Sequence, residues 1–180
     1  LNPDKEPNEV VMHVKLLEND SLLQQVTLGT LGVNLIYACK NYYDTPNTFL
    51  QSLLDNVSTD RFRITMMKMS GPDLAYVDNR LLGLQLVRNR MTHAIMFDKH
   101  GNVQQPSDML YKKNVLAFRG TFKPITYITK DILRKSLNLF KLDEDYNEEN
   151  TLSFCEMTTN NLLAEGELDE VDFLERVNML

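Results

Sequence analysis

Short apolar segments rich in β-branched and aromatic residues alternate along this chain with longer segments of helical period. Strand-like stretches fall at residues 10–17, 62–69, 93–97, 115–119 and 151–157. Helical patterns fill residues 22–43, 46–57, 78–91 and 129–142, with a short helix after Pro106 and a last one from near Asp169. That order restricts the fold more than any single motif, because strands separated by helices build most simply into a parallel sheet covered on both faces. Segments such as "HAIMF", "NVLAF" and "LSFCEM" are nearly continuous in apolar residues, as a doubly buried strand must be. The expected architecture is three-layer α/β, with one mostly parallel sheet of about five strands and helices on both faces. A short hairpin is added where residues 103–105 turn back through Asp98-Lys99-His100-Gly101-Asn102.

Local signals place the helix ends. Thr45 before Pro46 marks an N-terminus, since proline at the first helical position gives up an N–H that would be unbonded anyway. Asp169 is expected to cap the last helix, with Leu168 and Phe173 as its hydrophobic staple. Residues 129–142 put Ile132, Leu133, Leu137 and Phe140 on a stripe to be buried, with Asp131 in the first turn where the dipole favours a carboxylate. Gly29 and Gly32 lie inside the first helical pattern. Each interior glycine costs about 1 kcal/mol against alanine, so close packing by a sheet or a neighbouring helix is expected there.

With 180 residues there is material for a full core. A flexible lead-in over residues 1–9 and a single α/β domain over residues 10–180 are expected. The chain opens on Leu1 and is read as a piece of a longer protein, whose flanking domains would be its first partners. Net charge is −6. The basic clusters Arg88/Arg90, Lys112/Lys113 and Lys130/Arg134/Lys135 are interleaved with apolar residues, which argues against a nucleic-acid partner. No continuous apolar run reaches the roughly 18 residues of a membrane span, and no signal pattern opens the chain. No membrane partner is therefore expected, and the location is read as cytoplasmic. Cys39 and Cys155 fit two buried free thiols in a reducing compartment.

In open α/β sheets ligands gather beyond the carboxyl ends of the strands. This chain places there Ser70, Gly71, Pro72 and Asp73, then Asp98, Lys99 and His100. Arg119, Gly120, Thr121 and Lys123 follow the fourth strand, and Thr158, Thr159, Asn160 and Asn161 the fifth. With those ends aligned in one layer, Ser70, Asp98, Arg119 and Thr158 converge on a common rim. Free N–H groups at a helix start suit an anion, and Arg119 and Lys123 supply counter-charge. The candidate residues for a small anionic or nucleotide-like ligand are thus Ser70, Gly71, Asp98, Arg119, Gly120, Thr121, Lys123, Thr158 and Asn160. Loops at strand exits are polar in most proteins, so the same residues also read as ordinary turns. His13, His93 and His100 are scattered, and no C-x-x-C or H-E-x-x-H is present, so no metal is expected. No nucleophile elbow, Walker loop or G-x-G-x-x-G occurs, so no catalytic set or cofactor follows.

Two short stretches resemble signatures of enzyme families. "GTFKPITYITKDIL" is similar to the first signature of the HIGH-superfamily nucleotidyltransferases, such as nicotinate-mononucleotide adenylyltransferases. Gly120, Thr121, Phe122, Pro124 and Ile125 fit its frame. Thr126 and Thr129 stand where that family has its triphosphate-binding histidines, Ile128 replaces its glycine and Lys123 its acid. "AIMFDKHGN" is similar to the opening of haloacid-dehalogenase-type phosphatases. Asp98 takes the nucleophile's place, and His100 stands where that family has its proton-transferring carboxylate. A longer stretch, carrying "LGVNLIY", "SLLDN", "VDNRL" and "LYKK", resembles an uncharacterised bacterial family. Its members are commonly labelled TonB-dependent receptor or nicotinamide-nucleotide adenylyltransferase. The first label implies a β-barrel, which an α/β pattern does not fit. Three functions are carried forward: a domain binding a small anionic ligand, a non-catalytic structural or interaction domain of a larger protein, and a nucleotidyltransferase-like domain.

Overall fold

The computed structural model describes residues 6–163 and 169–180. Leu168, expected in the staple of the last helix, lies outside the described residues, as do residues 1–5 of the lead-in. Helices and strands are mixed along the chain. Where the sequence suggests one domain, the chain divides into two compact units, Leu1–Pro106 and Ser107–Leu180.

In the first unit, β1 (Glu9–Leu16) pairs antiparallel with β2 (Phe62–Ser70). β1 exposes His13 and Lys15 and turns Val10, Met12, Val14 and Leu16 to the core, as a strand with one wet face does. β2 buries Phe62 and Ile64, then Met67 and Met69, so its alternation slips by one residue. The register jump opposite His13/Val14 absorbs the slip, leaving Thr65 as the extra residue of a β-bulge. The core-facing pairs are then Leu16–Phe62, Val14–Ile64, Met12–Met67 and Val10–Met69.

Asp20 caps α1 (Ser21–Asn41), its side chain accepting from the N–H groups of Leu22 and Leu23 at 2.9 and 3.0 Å. α1 lies against β1 and against α2 (Pro46–Ser52), and buries Thr27, Leu31 and Ala38. α3 (Asn79–Arg88) lies against β2. Leu31, Phe49, Leu50, Leu53, Phe62, Ile64, Leu86 and Met91 are completely buried in one cluster. Each such side chain contributes about 1.5–3 kcal/mol, so this cluster outweighs any polar contact in the unit. β3 (Met96–Phe97) and β4 (Val103–Gln104) close the small antiparallel hairpin expected from the turn between them.

The second unit begins within α4 (Pro106–Leu110). Its β5 (Asn114–Arg119) and β6 (Thr151–Glu156) run parallel, from Asn114 opposite Thr151 to Arg119 opposite Glu156. α5 (Tyr127–Phe140), α6 (Thr159–Leu163) and α7 (Glu170–Met179) complete it, α7 with the expected Asp169 cap accepting from Val171 N–H at 2.8 Å. Phe122, Leu162, Phe173 and Arg176 are buried here.

Three expectations are corrected. Among the described residues the strands pair two by two, in two antiparallel pairs and one parallel pair, and not in one sheet of about five. The reason is visible in β1, whose alternation marks a half-buried strand, and in β3, which turns back within five residues where a parallel neighbour would need a crossover. The stripe of α5 is not buried: Leu133, Leu137 and Phe140 are half-covered and Ile132 is exposed, because among the described residues its cover comes mainly from β5 and the Tyr146 ring. Gly29 and Gly32 have no close neighbour, since a Cβ at either would meet nothing within 4 Å. α1 is also long and apolar enough, by length and composition, to cross a membrane, and 22% of that window is buried. Gln24, Gln25, Thr27, Thr30 and Asn34 interrupt its apolar run, which is why no span stands out in the sequence.

Candidate functional site

The expected rim is divided. Ser70 ends β2, Asp98 follows β3, and Arg119 and Thr158 lie at the ends of β5 and β6, so only the last two belong to one sheet. At the parallel pair the chain does bring Arg119, Gly120 and Thr121 beside the end of β6, with Gly120 N–H donating to Glu156 O at 3.1 Å.

The cations at this end are already matched. Arg119 donates through Nε and Nη2 to the two carboxylate oxygens of Glu156, each at 3.0 Å. Lys123 Nζ donates to Asp172 Oδ1. Arg176 donates through Nε to the other oxygen of Asp172 at 2.7 Å and through Nη1 to Thr121 O at 3.0 Å. The hydrogen bond to Glu156 raises the Arg119 pKa, and the bond to Asp172 does the same for Lys123. Lys123 and then Arg176 hold the Asp172 carboxyl below the usual range. Between them, Phe122 takes a φ of 54° and buries its ring, 5.9 Å from that of Phe118. Gly120 fits beneath it, where a Cβ would lie 3.3 Å from Phe122 Cζ. The loop from Arg119 to Pro124 is thus held by its own aromatic plug and by α7, and its charge is spent internally.

Thr126 and Thr129, at the positions of the nucleotidyltransferase histidines, serve the helix instead. Thr126 Oγ1 accepts from Thr129 N–H at 3.2 Å as the cap of α5, and the two hydroxyls bond at 3.1 Å. Thr158 and Asn160 stand at the entrance of α6; the side chain of Asn161 lies outside the described residues.

In the first unit, Gly71 has a φ of 129° and lies on Asn8, whose Cα would be 2.6 Å from an added Cβ. Asn8 in turn donates to Asp73 Oδ2 at 2.8 Å and accepts from Asp73 N–H at 3.0 Å. The residues after Ser70 therefore fasten the lead-in to the end of β2. Asp98 Oδ1 accepts from the N–H groups of His100 and Asn102 at 2.8 and 2.9 Å, and Oδ2 from Asn102 Nδ2 and Gln104 Nε2 at 3.0 and 3.1 Å. The Asn102 side chain first, then its backbone, bring the Asp98 pKa down to about 2. A carboxylate with both oxygens committed is a turn fastener and a poor nucleophile.

A cleft of 760 Å³ lies within the same unit, unforeseen from the sequence, lined by Lys68, Tyr76, Asp78, Arg80, Asn102 and Gln104 among others. Asp78 caps α3 and clamps Arg80 through Nε at 3.0 Å and Nη2 at 2.6 Å. Asn79 fixes the start of α3 to β2, accepting from Met69 N–H at 2.7 Å and donating to Met69 O at 3.0 Å. Among the described residues the Lys68 ammonium has no ion-pair or hydrogen-bond partner. The sequence signal for the cleft was faint: an outward lysine on β2 and a polar hairpin turn. Among the described residues no three His, Cys, Asp or Glu side chains are grouped to hold a metal. Cys39 and Cys155 are free, half-covered thiols whose pKa values burial raises.

The larger feature missed is the outward face of α1. Leu22, Val26, Val33, Ile36 and Tyr37 are all exposed there, opposite the buried Thr27, Leu31 and Ala38. Its signal was available, since Leu22, Val26, Val33 and Ile36 recur at helical spacing apart from Leu31 and Ala38. Compared with protein-family models, curated proteins and solved structures, the chain matches none.

Proposed function

We propose that this chain is a non-catalytic interaction module, whose working surface is an apolar helix face and not a ligand pocket. The observation that carries the reading is the outward face of α1, exposed over the whole length of a 21-residue helix. Contiguous apolar surface of that size marks a contact site in a soluble protein. Support for α1 as part of the folded unit comes from its inner side. Asn34 Nδ2 donates to Leu53 O and Asp55 O at 3.0 and 2.7 Å, and Thr27 Oγ1 donates to Glu18, which pairs with Arg61 at 2.6 Å. The reading keeps the chain cytoplasmic and α1 facing protein.

The test places photoreactive p-benzoylphenylalanine at Gln25, on the flank of the exposed face, in cells producing the full-length protein. An adduct with a polypeptide that disappears in the Ile36→Asp background, at unchanged thermal midpoint, is expected. No polypeptide adduct from a folded protein sinks the reading.

A second reading, binding of a small anionic ligand, is supported by Lys68 standing unpaired at the cleft. It predicts a thermal shift with phosphate, ATP, NAD or nicotinate mononucleotide that is lost in Lys68→Ala.

A further inference from the structure

We infer that the outward face of α1 is covered by α1 of a second copy of this chain, packed antiparallel across a two-fold axis; this rests on the interaction-module reading and names its partner. Leu22, Val26, Gly29, Val33, Ile36 and Lys40 recur at steps of four and three residues. That 3.5-residue period is the one on which two helices keep a seam in contact. Leu22 is 66% exposed, Val26 51%, Val33 67% and Ile36 73%, and Gly29 faces open space.

The seam is complementary to its own reversal. Turned about its midpoint near Leu31, it sets Val33 against Gly29 of the other copy, Val26 against Ile36, and Lys40 against Leu22. Val33 of each copy is then a knob over the hole that Gly29 of the other leaves, twice by symmetry, as an isologous contact requires. A parallel pairing would set Gly29 on Gly29 and Lys40 on Lys40, a void and a repulsion. The charges agree with the antiparallel choice. Lys40 is exposed in the last turn, without an ion-pair partner among the described residues, and Asp20 is an exposed carboxylate at the first. Reversal lays the Lys40 stem over Leu22 and carries its ammonium toward Asp20 of the other copy. Antiparallel helix dipoles favour the same arrangement.

The exposed parts of Leu22, Val26, Val33, Ile36, Tyr37 and the Lys40 stem offer at most roughly 600 Å² per copy, so up to about 1,200 Å² in all, the low end for a specific interface.

The experiment uses the purified full-length chain, by sedimentation equilibrium over micromolar concentrations and by photo-crosslinking from Gln25 with the adduct mapped by mass spectrometry. Expected are a monomer–dimer equilibrium, weakened about tenfold or more by Val33→Asp with circular dichroism unchanged, and an adduct of twice the chain mass. The link should join residue 25 to the C-terminal half of the other α1. A link to the N-terminal half of α1 overturns the antiparallel register. An adduct formed only with a different polypeptide in cells overturns the dimer and leaves the interaction module standing. Adducts with lipid alone, or none at all from a folded chain, overturn both.

Discussion

Arg119 and Glu156 face each other in register across the parallel β5–β6 pair and join through two hydrogen bonds of 3.0 Å. The geometry is the planar fork-to-carboxylate match for which arginine is suited. It answers why a cation, glycine and threonine after a strand need not make an anion site: the counter-charge arrives on the neighbouring strand. The pair is largely in solvent, where ion pairs contribute little. Arg119→Ala is therefore expected to leave the denaturation midpoint close to that of the unaltered chain and to leave any thermal shift with phosphate unchanged. A phosphate response lost with Arg119 would restore the rim as a binding site.

Arg176 behaves oppositely because it is completely buried. Its hydrogen bonds through Nε and Nη1 tie Asp172 on α7 to Thr121 O in the loop after β5. Truncation leaves a carboxylate with Lys123 as its one remaining cation and a carbonyl without its donor. Arg176→Met should cost about 3 kcal/mol in chemical denaturation, the range for breaking one side of a buried pair. Hydrogen exchange should quicken within residues 107–180. Arg176→Lys should recover little, since an ammonium lacks the fork that reaches both acceptors.

The helices were the legible part of this fold, and their burial was not. Residues 129–142 show a stripe from the sequence, and α5 forms there, but a stripe states which side prefers cover and not whether cover exists. Strand pairing was illegible for a similar reason. Period-two alternation identifies β1 as a strand with one wet face, while its partner, β2, lies beyond two helices. Site residues suffered most, because what decides their role is distant in the chain. Lys123 is matched by Asp172 and Gly71 rests on Asn8, and no local pattern announces either contact.

Acid should loosen both units through carboxylates whose folded pKa values are depressed. Such groups stabilise the fold above their unfolded pKa, and the contribution is lost as pH falls through the folded value. For Asp98 that window runs from its ordinary 3.8 down to about 2, with the hairpin turn as the structure released. Asp172 acts in the same direction in the second unit. Asp98→Asn should flatten the acid dependence of amide protection at His100 and Asn102, followed by nuclear magnetic resonance; an unaltered profile would show that the turn does not depend on that charge.

Gly71 is expected to matter to stability whether or not any ligand is present. Its φ of 129° lies where side chains are strained, and the Asn8 backbone occupies the space of a Cβ. Gly71→Ala should destabilise by about 1–3 kcal/mol. The loss should be matched by freer exchange at Asp73 N–H, which now donates to Asn8. An alanine tolerated at no cost would mean that the lead-in does not lie there.

Thr65 offers a sharper test of how β2 is read. With the bulge, Phe62 and Ile64 point inward on one side of it and Met67 and Met69 on the other. Deleting Thr65 leaves Phe-Arg-Ile-Met-Met-Lys-Met, in which the same four residues fall at alternate positions of an unbroken strand. The deletion removes only a 3.4 Å contact from Thr65 Oγ1 to His13 O and no core side chain. The chain should stay folded, with the core pairs Leu16–Phe62 and Met12–Met67 retained and stability changed by less than about 2 kcal/mol. Deleting Arg63 instead keeps the bulge but sets Phe62 on the opposite phase from Ile64, and should cost about as much as removing a buried phenylalanine, 3–5 kcal/mol. Circular dichroism and urea denaturation of the two deletions side by side decide the matter: equal damage from both would mean that register, and not phase, governs this strand pair.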